Sequence, residues 1–194
     1  MHNSSTLRMA DCAKRHLPSK GTILDVGSFA RDPALKPPYR QIIENYGWTY
    51  VGLDLRAGPN VDIVVKDPYD WPLENEIFDA IISGQMLEHN MMFWVSILEM
   101  ARVLKRGGKM IHIAPSRGPE HRVPKDCWRF YRDGMQAMAY WTGLKCIEAT
   151  TDWDSIHRAY MKQRRPRAFA KLPSHDGSCR VSGGNSRAAL RGSV

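Results

Sequence analysis

Three short apolar runs that lead into aspartates restrict the fold of this chain more than any other feature. Two of them, Thr22–Gly27 and Thr49–Asp54, contain their aspartate near the end, and the third, Val61–Val65, is followed by Lys66 and Asp67. Continuous apolar runs of five or six residues are typical of strands buried on both faces of a parallel sheet. The first third of the chain therefore predicts an α/β protein.

The elements that follow continue this alternation. Two more strands are expected at Phe78–Ser83 and Lys109–Ala114, a weak helical pattern occupies residues 1–20, and helices are predicted at Tyr39–Asn45, Phe93–Lys105 and Met135–Thr142. Strands that alternate with helices favour a Rossmann-like, doubly wound, mostly parallel sheet flanked by helices.

Local signals suggest where the later elements begin and end. We expect Arg106–Gly108 to stop the helix before it, since glycine is favoured just past a helix end. Asp133 is expected to cap the last helix and Gly143 to end it. Leu144–Ala149 is a candidate for one more strand. No second strand-like segment follows Leu144–Ala149. The sheet is therefore expected to lack the usual last strand of doubly wound sheets of this kind.

The positive charge is concentrated near the end of the sequence. The net charge is +8, and residues 154–194 contribute +7 of it, with nine Lys and Arg against two Asp and Glu. We therefore expect a folded domain over residues 1–153 and a basic, disordered tail over 154–194. Because residues 1–153 carry only +1, the charge argues against nucleic acid as a partner of the domain.

Composition also bears on the compartment. No apolar run approaches the roughly 18 residues of a membrane-spanning helix, and the first residues lack the apolar core of a secretory signal. The four cysteines are scattered, without a CxxC pair. These features predict a cytoplasmic protein with reduced thiols and no membrane span, of unknown oligomeric state.

The aspartates at the strand ends point to a nucleoside ligand. In an open parallel sheet, ligands bind at the carboxyl ends of the strands. Asp25 precedes Gly27 and Ser28, where the backbone can approach a ligand closely. A carboxylate at Asp54 is placed to accept both ribose hydroxyls. One such aspartate alone is more often a loop or cap residue, but three at successive strand ends are hard to explain in that way.

Four segments together resemble the class I S-adenosylmethionine-dependent methyltransferases, particularly their small-molecule branch. They are Ile23–Gly27, Tyr50–Asp54, Phe78–His89 and Glu99–Gly108. The resemblance spans residues 21–153 and implies S-adenosylmethionine as cofactor. It places the methionine part at Asp25, Gly27 and Ser28, the ribose and adenine at Asp54 and Leu55, the adenine also at Asp67 and Pro68, and the near side of the cofactor at Ser83 to Gln85.

The first loop departs from the family pattern. The family carries alternating glycines there, whereas this chain continues after Gly27 with Ser28, Phe29, Ala30 and Arg31. Phe29 and Arg31 cannot adopt a positive φ as cheaply as glycine. We therefore expect the loop to take a different course. The missing second glycine also counts against a nicotinamide enzyme.

Glu88 and His89 follow the fourth strand at the rim of the expected site. Some relatives, the ubiquinone-pathway and small-RNA 2′-O-methyltransferases, bind a divalent metal through an E-x-x-E-H motif there, but this chain has Gln85 at the first position. We therefore expect no metal; Glu88, His89 and His121 would be the ligands if one were bound. His89 is expected instead to orient the substrate or cap a helix.

The loop from Pro115 to Tyr131 follows the fifth strand and is dense in groups that recognise polar ligands. Substrate-binding candidates are Arg117, Asp126, Trp128, Arg129 and Tyr131, and aromatic faces beside charged groups suit a saccharide or another polyhydroxylated acceptor. His121 is the candidate catalytic base, because imidazole takes up protons near neutral pH, and His89 is a second catalytic candidate. The alternative is that the aromatic residues only pack the loop onto the sheet.

These observations predict methyl transfer from S-adenosylmethionine to an oxygen or nitrogen of a small molecule or saccharide. Similar loops occur in bacterial methyltransferases linked to cell-surface polysaccharide, which is an analogy of sequence only. Two alternatives stay open. One is a degenerate, non-catalytic member that binds the cofactor or a partner, and the other is an RNA methyltransferase that uses the basic tail.

Overall fold

The computed structural model describes residues 3–31 and 39–151. The proline-rich segment before Tyr39 and the tail predicted for residues 154–194 lie outside the described residues. The elements in chain order are α1 (Asn3–His16), β1 (Thr22–Val26), α2 (Tyr39–Asn45), β2 (Thr49–Asp54), β3 (Ile63–Val64), β4 (Phe78–Gly84), a short 3-10 helix (Leu87–His89), α3 (Phe93–Val103), β5 (Leu104–Ile113) and α4 (Arg132–Trp141).

The five strands form one parallel sheet in the order β3-β2-β1-β4-β5. β1 is central and pairs with β2 on one side, where Asp25 lies opposite Gly52, and with β4 on the other, where Val26 lies opposite Ser83. The predicted doubly wound parallel sheet is confirmed. The described residues contain no strand beyond β5.

Alternate residues of β1 face different helices, as a sheet covered on both faces requires. Ile23 packs with α1 and α2 in a core that includes Met9, Tyr39 and Ile43. Leu24 and Val26 face the other core, formed with α3, the end of the 115–131 loop and α4; its buried members include Ile97, Met100, Phe130 and Met138. The sheet is therefore the middle of three layers.

The passage from α3 to β5 differs from the sequence-based expectation. α3 ends at Val103, and Leu104 already pairs with Phe78 of β4. The next paired residues are Ala80 and Lys109, so the four residues 105–108 lie opposite Asp79 alone. Arg106–Gly108 therefore does not stop the helix. It forms an excursion within β5, where Gly107 has a φ of +78°.

Three other boundaries need correction. β3 consists only of Ile63–Val64 rather than Val61–Val65. α4 begins at Arg132 with Tyr131 at the N-cap position, so Asp133 lies inside the first turn, where its charge favours the helix dipole. The end at Gly143 is as predicted, with a φ of +71°. Residues 144–149 form no strand.

Among the described residues, no helix is long and apolar enough to cross a membrane.

The contact between β4 and α2 depends on Gly84. A Cβ at this position would lie 2.0 Å from the hydroxyl oxygen of Tyr39, which is only 1% exposed. We expect Gly84→Ala to lower the free energy of unfolding by about 1–3 kcal/mol or more, as overpacking does, in urea denaturation followed by circular dichroism. Gly134→Ala in α4, where a Cβ would contact nothing, is the control and should be neutral or stabilising. Equal stability of the two variants would contradict this packing.

Candidate functional site

The order of the strands locates the candidate site. The chain runs outward from β1 to β2 and β3 on one side and to β4 and β5 on the other, so the connections diverge between β1 and β4. Ligands bind at such a switch point, outside the carboxyl ends of the strands. Here that region contains residues 25–30, 54–60 and 83–89.

Asp25 lies near the end of β1 and is 3% exposed. Its Oδ2 accepts a hydrogen bond of 2.5 Å from the hydroxyl of Tyr50, and its Oδ1 is buried without a partner among the described residues. Tyr50 is in turn covered by the guanidinium of Arg40, 4.3 Å from the ring centroid. Burial raises the pKa of Asp25 to about 7, against the opposing effect of the Tyr50 hydrogen bond.

The backbone turns sharply after Asp25. Gly27 has a φ of +82°, and a Cβ there would lie 2.5 Å from the Cγ of Met86, which follows β4. Only glycine therefore allows this loop and the residues after β4 to come so close. Ser28 is 6% exposed, and its Oγ has no partner in the described part of the chain.

The loop then runs back against the end of β2. Its backbone N–H groups donate in sequence to β2 and the segment after it. Those of Gly27 and Ser28 bond to the carbonyl of Leu53, at 2.9 and 3.2 Å. That of Phe29 bonds to Oδ2 of Asp54 at 3.1 Å, and that of Ala30 bonds to the carbonyl of Pro59 at 3.2 Å. Phe29 packs beneath the guanidinium of Arg56, and its φ is not positive. The expected difference between this course and that of the family's glycine-rich loop stays a prediction.

Asp54 holds two loops at once. Besides Phe29, its carboxylate accepts the N–H of Arg56 at 3.2 Å through Oδ1. Each oxygen thus has one backbone donor and capacity for another. Leu55, beside it, is 51% exposed. The carboxylate therefore keeps capacity for further donors beside an exposed apolar side chain, and the predicted ribose and adenine roles of Asp54 and Leu55 stay predictions.

Asp67 and Pro68 lie beyond β3. Asp67 is exposed, and its Oδ1 accepts the N–H of Tyr69 at 2.8 Å. The carbonyl of Pro68 accepts bonds from the indole N–H of Trp71 (3.2 Å) and the hydroxyl of Ser96 in α3 (2.7 Å). These contacts anchor the segment, and the predicted role at the adenine stays a prediction.

The end of β4 carries a paired serine and a strained glutamine. The Ser83 hydroxyl lies 2.8 Å from Nδ1 of His112 on β5, and burial lowers the pKa of His112 to about 4. Gln85 has a φ of +59°, uncommon for a residue with a side chain, while its N–H bonds to the carbonyl of Ile113. Such strain is often found at ligand sites.

The sequence analysis placed Glu88 at the rim of the expected site and gave it a role only in the case that a metal binds there. Glu88 is fully buried, and both carboxylate oxygens lack a hydrogen-bond partner among the described residues. Its carbonyl accepts the N–H groups of Cys127 (2.7 Å) and Trp128 (3.3 Å), so the 115–131 loop covers it. Burial raises the pKa of Glu88 to about 7. Its place directly before His89 was the available signal, but burial could not be read from it.

The loop brings His121 to Glu88 and His89. The rings of His89 and His121 meet edge to face with centroids 5.0 Å apart. Nε2 of His89 is 3.7 Å from Oε1 of Glu88. One nitrogen or oxygen atom from each of the three side chains lies within 4.8 Å of the others. We call these three residues the Glu–His–His cluster.

Asp126 contacts this cluster through His121, and Arg129 binds Asp126. Arg129 donates two hydrogen bonds to the Asp126 carboxylate, at 2.5 and 2.7 Å, and that carboxylate lies 3.2 Å from Nδ1 of His121. The hydrogen bond from Arg129 holds the pKa of Asp126 well below its ordinary value. Both residues were predicted to bind substrate. The structure pairs them with each other and with His121.

The remaining predicted substrate residues are part of the loop itself. Trp128 is 37% exposed, donates its indole N–H to the carbonyl of Asn90 at 2.9 Å, and meets Trp94 edge to face at 5.8 Å. Tyr131 is 62% exposed, and Arg117 is also exposed. Phe130 is buried in the core, as the packing interpretation expects, while Trp128 and Tyr131 keep exposed surface and their role in substrate binding stays a prediction.

Comparison with known proteins agrees with this geometry. Residues 39–112, from α2 into β5, match the family model described as a methyltransferase domain. The fold around that segment is the parallel sheet derived above. The match covers less than half of the chain, and over that segment the protein is similar to the methyltransferase domain family. The match begins after β1, so it does not include the unusual loop at residues 27–31. A search of functionally curated proteins finds no match.

Solved structures show the same fold. A candidate methyltransferase from Bacillus halodurans C-125 is 17% identical with a TM-score of 0.54, over 73% of this chain and 69% of that one. The YcgJ protein from Bacillus subtilis is 20% identical with a TM-score of 0.55, over 73% and 68%. The [4+2]-cyclase SpnF is 19% identical with a TM-score of 0.56, over 74% of this chain and 58% of SpnF. At these identities the likeness establishes the fold, and a cyclase among the neighbours shows why the activity must be argued from the site.

The burial of Asp25 predicts an unusual pH dependence. The folded protein holds a proton on Asp25 between the ordinary pKa of 3.8 and about 7, whereas the unfolded chain has released it. The contribution of Asp25 to the free energy of unfolding therefore falls as the pH rises through that window. Asp25→Asn should remove this fall, so that the variant gains stability relative to the wild type from pH 4 to pH 7.5.

Urea denaturation at several pH values measures the difference. Asp11→Asn is the control, because the Asp11 side chain is 63% exposed and pairs only on the surface with Arg15. Its difference from the wild type should vary little over the same range. An Asp25→Asn difference that is equally flat would show that Asp25 is ionised at pH 5 in the folded protein.

Proposed function

We propose that this protein transfers a methyl group from S-adenosylmethionine to a hydroxyl or amino group of a small polar acceptor, a saccharide in the first instance. The observation that carries the proposal is the pair of buried, unpartnered polar atoms, Asp25 Oδ1 and Ser28 Oγ, at the switch point of a methyltransferase-family sheet. Buried polar atoms normally have partners, and a bound ligand supplies them.

The residues present fit the cofactor. Asp25 and Ser28 would hold polar groups of the methionine part, Asp54 the ribose hydroxyls and Leu55 one face of the adenine. Asp67, Pro68, Ser83 and Gln85 would complete the contact. When bound, S-adenosylmethionine supplies an electrophilic methyl group on a sulfonium. The fit is good at Asp54 because the backbone N–H groups of Phe29 and Arg56 hold its carboxylate in place while each oxygen can accept one more donor.

The acceptor is proposed to lie under the 115–131 loop, next to the Glu–His–His cluster. Trp128 and Trp94 present aromatic surface there, and Arg117 and Tyr131 are exposed nearby in sequence. Aromatic faces with charged neighbours suit the mixed polar and apolar faces of a sugar ring. A cell-surface polysaccharide role would follow if the acceptor proved to be a nucleotide-linked or lipid-linked sugar.

The main contribution of the protein to rate would be alignment. Holding donor and acceptor in line contributes up to about 7–11 kcal/mol in favourable cases. A bond forms between the acceptor oxygen and the methyl carbon as the carbon–sulfur bond breaks, and the acceptor proton must leave. His121 is the proposed proton acceptor, with His89 beside it. The Asp126 carboxylate at its Nδ1 would stabilise the imidazolium.

A non-catalytic binding protein is the second candidate. The observation that favours it is the side chain of Met86, which lies against Gly27 at the switch point, together with a loop turned toward β2. The two proposals differ in turnover, since only the first requires S-adenosylhomocysteine to form.

Calorimetry with S-adenosylmethionine tests the cofactor site. We expect saturable binding by the wild type and at least tenfold weaker binding by Asp54→Asn and by Leu55→Ser, because the first removes a carboxylate acceptor and the second an apolar contact. Asp11→Asn, at an aspartate of α1 whose side chain is 63% exposed, should bind as the wild type does. No heat at millimolar cofactor in the wild type would reject methyl transfer by this chain.

Turnover tests the acceptor side. S-adenosylhomocysteine formation should be assayed with sugars, nucleotide sugars and short RNAs. We expect His121→Ala to lower kcat roughly 10²–10⁴-fold while leaving the dissociation constant of the cofactor unchanged. His16→Ala, which removes a surface histidine paired with Glu148, is the control and should keep full activity. Activity on RNA that disappears on deleting residues 155–194 would replace the saccharide by RNA.

A further inference from the structure

The Glu–His–His cluster contains three groups that can accept a hydrogen bond or bind a cation, and its ligand-type atoms lie within 4.8 Å of one another. The carboxylate of Glu88 is fully buried and has no hydrogen-bond partner among the described residues. Nε2 of His89 is 3.7 Å from Oε1 of Glu88, which is too far for a good hydrogen bond. A buried carboxylate in this position lacks the compensation that buried charges normally have.

The two histidines do not donate a hydrogen bond to Glu88, because Nδ1 of each ring faces a residue outside the cluster. Nδ1 of His89 lies 2.5 Å from the carbonyl oxygen of Lys125. A carbonyl only accepts, so Nδ1 carries the proton and Nε2, which faces Glu88, carries the lone pair in the neutral ring. Nδ1 of His121 lies 3.2 Å from the Asp126 carboxylate, which favours the same tautomer.

This is the outer-shell arrangement of metal-binding histidines. Such histidines donate one ring N–H to a carboxylate or a backbone carbonyl, which orients the ring and leaves the other nitrogen for the ion. Here one histidine uses a carbonyl and the other a carboxylate, and Arg129 fixes that carboxylate with two hydrogen bonds. The supporting groups are therefore ordered before any ion binds.

We propose that Glu88, His89 and His121 bind one divalent transition-metal ion. Two imidazole nitrogens and one carboxylate oxygen suit Zn²⁺, Mn²⁺ or Fe²⁺ better than Mg²⁺ or Ca²⁺, which prefer oxygen ligands. Three protein ligands leave coordination positions open, as in catalytic rather than structural sites. The His121 side chain is 48% exposed, so the cluster can be reached from solvent.

This inference departs from the expectation of no metal, which rested on Gln85 in place of a carboxylate. The structure changes the ligand count, because the 115–131 loop brings His121 to a motif 32 residues earlier in the sequence. It also deepens the proposed function and rests on it for the acceptor alone. An ion held by Glu88, His89 and His121 would supply a Lewis acid beside the acceptor, and the ligand role of His121 would then replace the proton-accepting role proposed for it above.

Titration of the metal-free, full-length protein with Zn²⁺ and, separately, Mn²⁺ tests the site without cofactor or acceptor. We expect one saturable site by calorimetry at pH 7.5 and at least tenfold weaker binding by Glu88→Gln and by His121→Ala. His16→Ala should bind as the wild type does, because it removes a histidine outside the cluster. Zn²⁺ should raise the Tm of the wild type and of His16→Ala but not that of Glu88→Gln.

Folding of the variant is controlled in the same melting experiment. Glu88→Gln removes a buried charge and no hydrogen bond of the described residues, so its metal-free Tm should equal or exceed that of the wild type. Absence of saturable binding in the wild type, or equal binding by the wild type and a folded Glu88→Gln, would overturn the metal site. Neither result affects cofactor binding, and a failure to bind S-adenosylmethionine would leave the metal titration as it stands.

Discussion

Parallel pairing of β1 with both β2 and β4 is the constraint on which the rest of the described structure depends. Parallel strands end at the same edge of a sheet, and here the connections leave β1 and β4 in opposite directions. That divergence places residues far apart in the sequence, such as Asp54 and Glu88, along one edge of the sheet. The chemistry of this protein then follows from which side chains the loops at that edge bring to it.

Three buried or nearly buried carboxylates at this edge differ in how they are compensated. Asp126 accepts two hydrogen bonds from Arg129, which lower its pKa. Asp25 accepts one hydrogen bond from Tyr50, and Glu88 accepts none from the described residues. Burial raises the pKa of both Asp25 and Glu88. A carboxylate that the protein satisfies completely serves the structure. Asp25 and Glu88 keep oxygen atoms without a hydrogen-bond donor in the described part of the chain, and both residues lie where a ligand is expected.

The sequence was sufficient for the elements whose signal is local. The runs at β1, β2 and β4 and the helix at Tyr39–Asn45 have strong apolar patterns, and they fall where predicted. The excursion at residues 105–108 was missed because two glycines after a helix favour a helix end as well as a tight turn within a strand. Residues 144–149 have a suitable composition for a strand but no partner among the described strands.

Predicting the site was limited by contacts made at long sequence separation. The aspartates after the strands could be named because the fold itself brings strand ends together. The partners of those residues could not, since nothing local in Tyr50 indicates a bond to Asp25, and nothing in Asp126 indicates that it turns to Arg129 and His121. The predicted fold was confirmed, and residues 39–112 match a methyltransferase domain model. The cofactor, acceptor and catalytic assignments stay predictions.

The excursion at residues 105–108 has a practical consequence. It leaves the sheet at the amino-terminal ends of β4 and β5, the edge opposite the candidate site. The side chain of Arg106 at its tip is 92% exposed, and a Cβ on Gly107 would contact nothing. This turn is therefore a natural attachment point for a fluorescent label or a surface tether that leaves the ligand edge unobstructed.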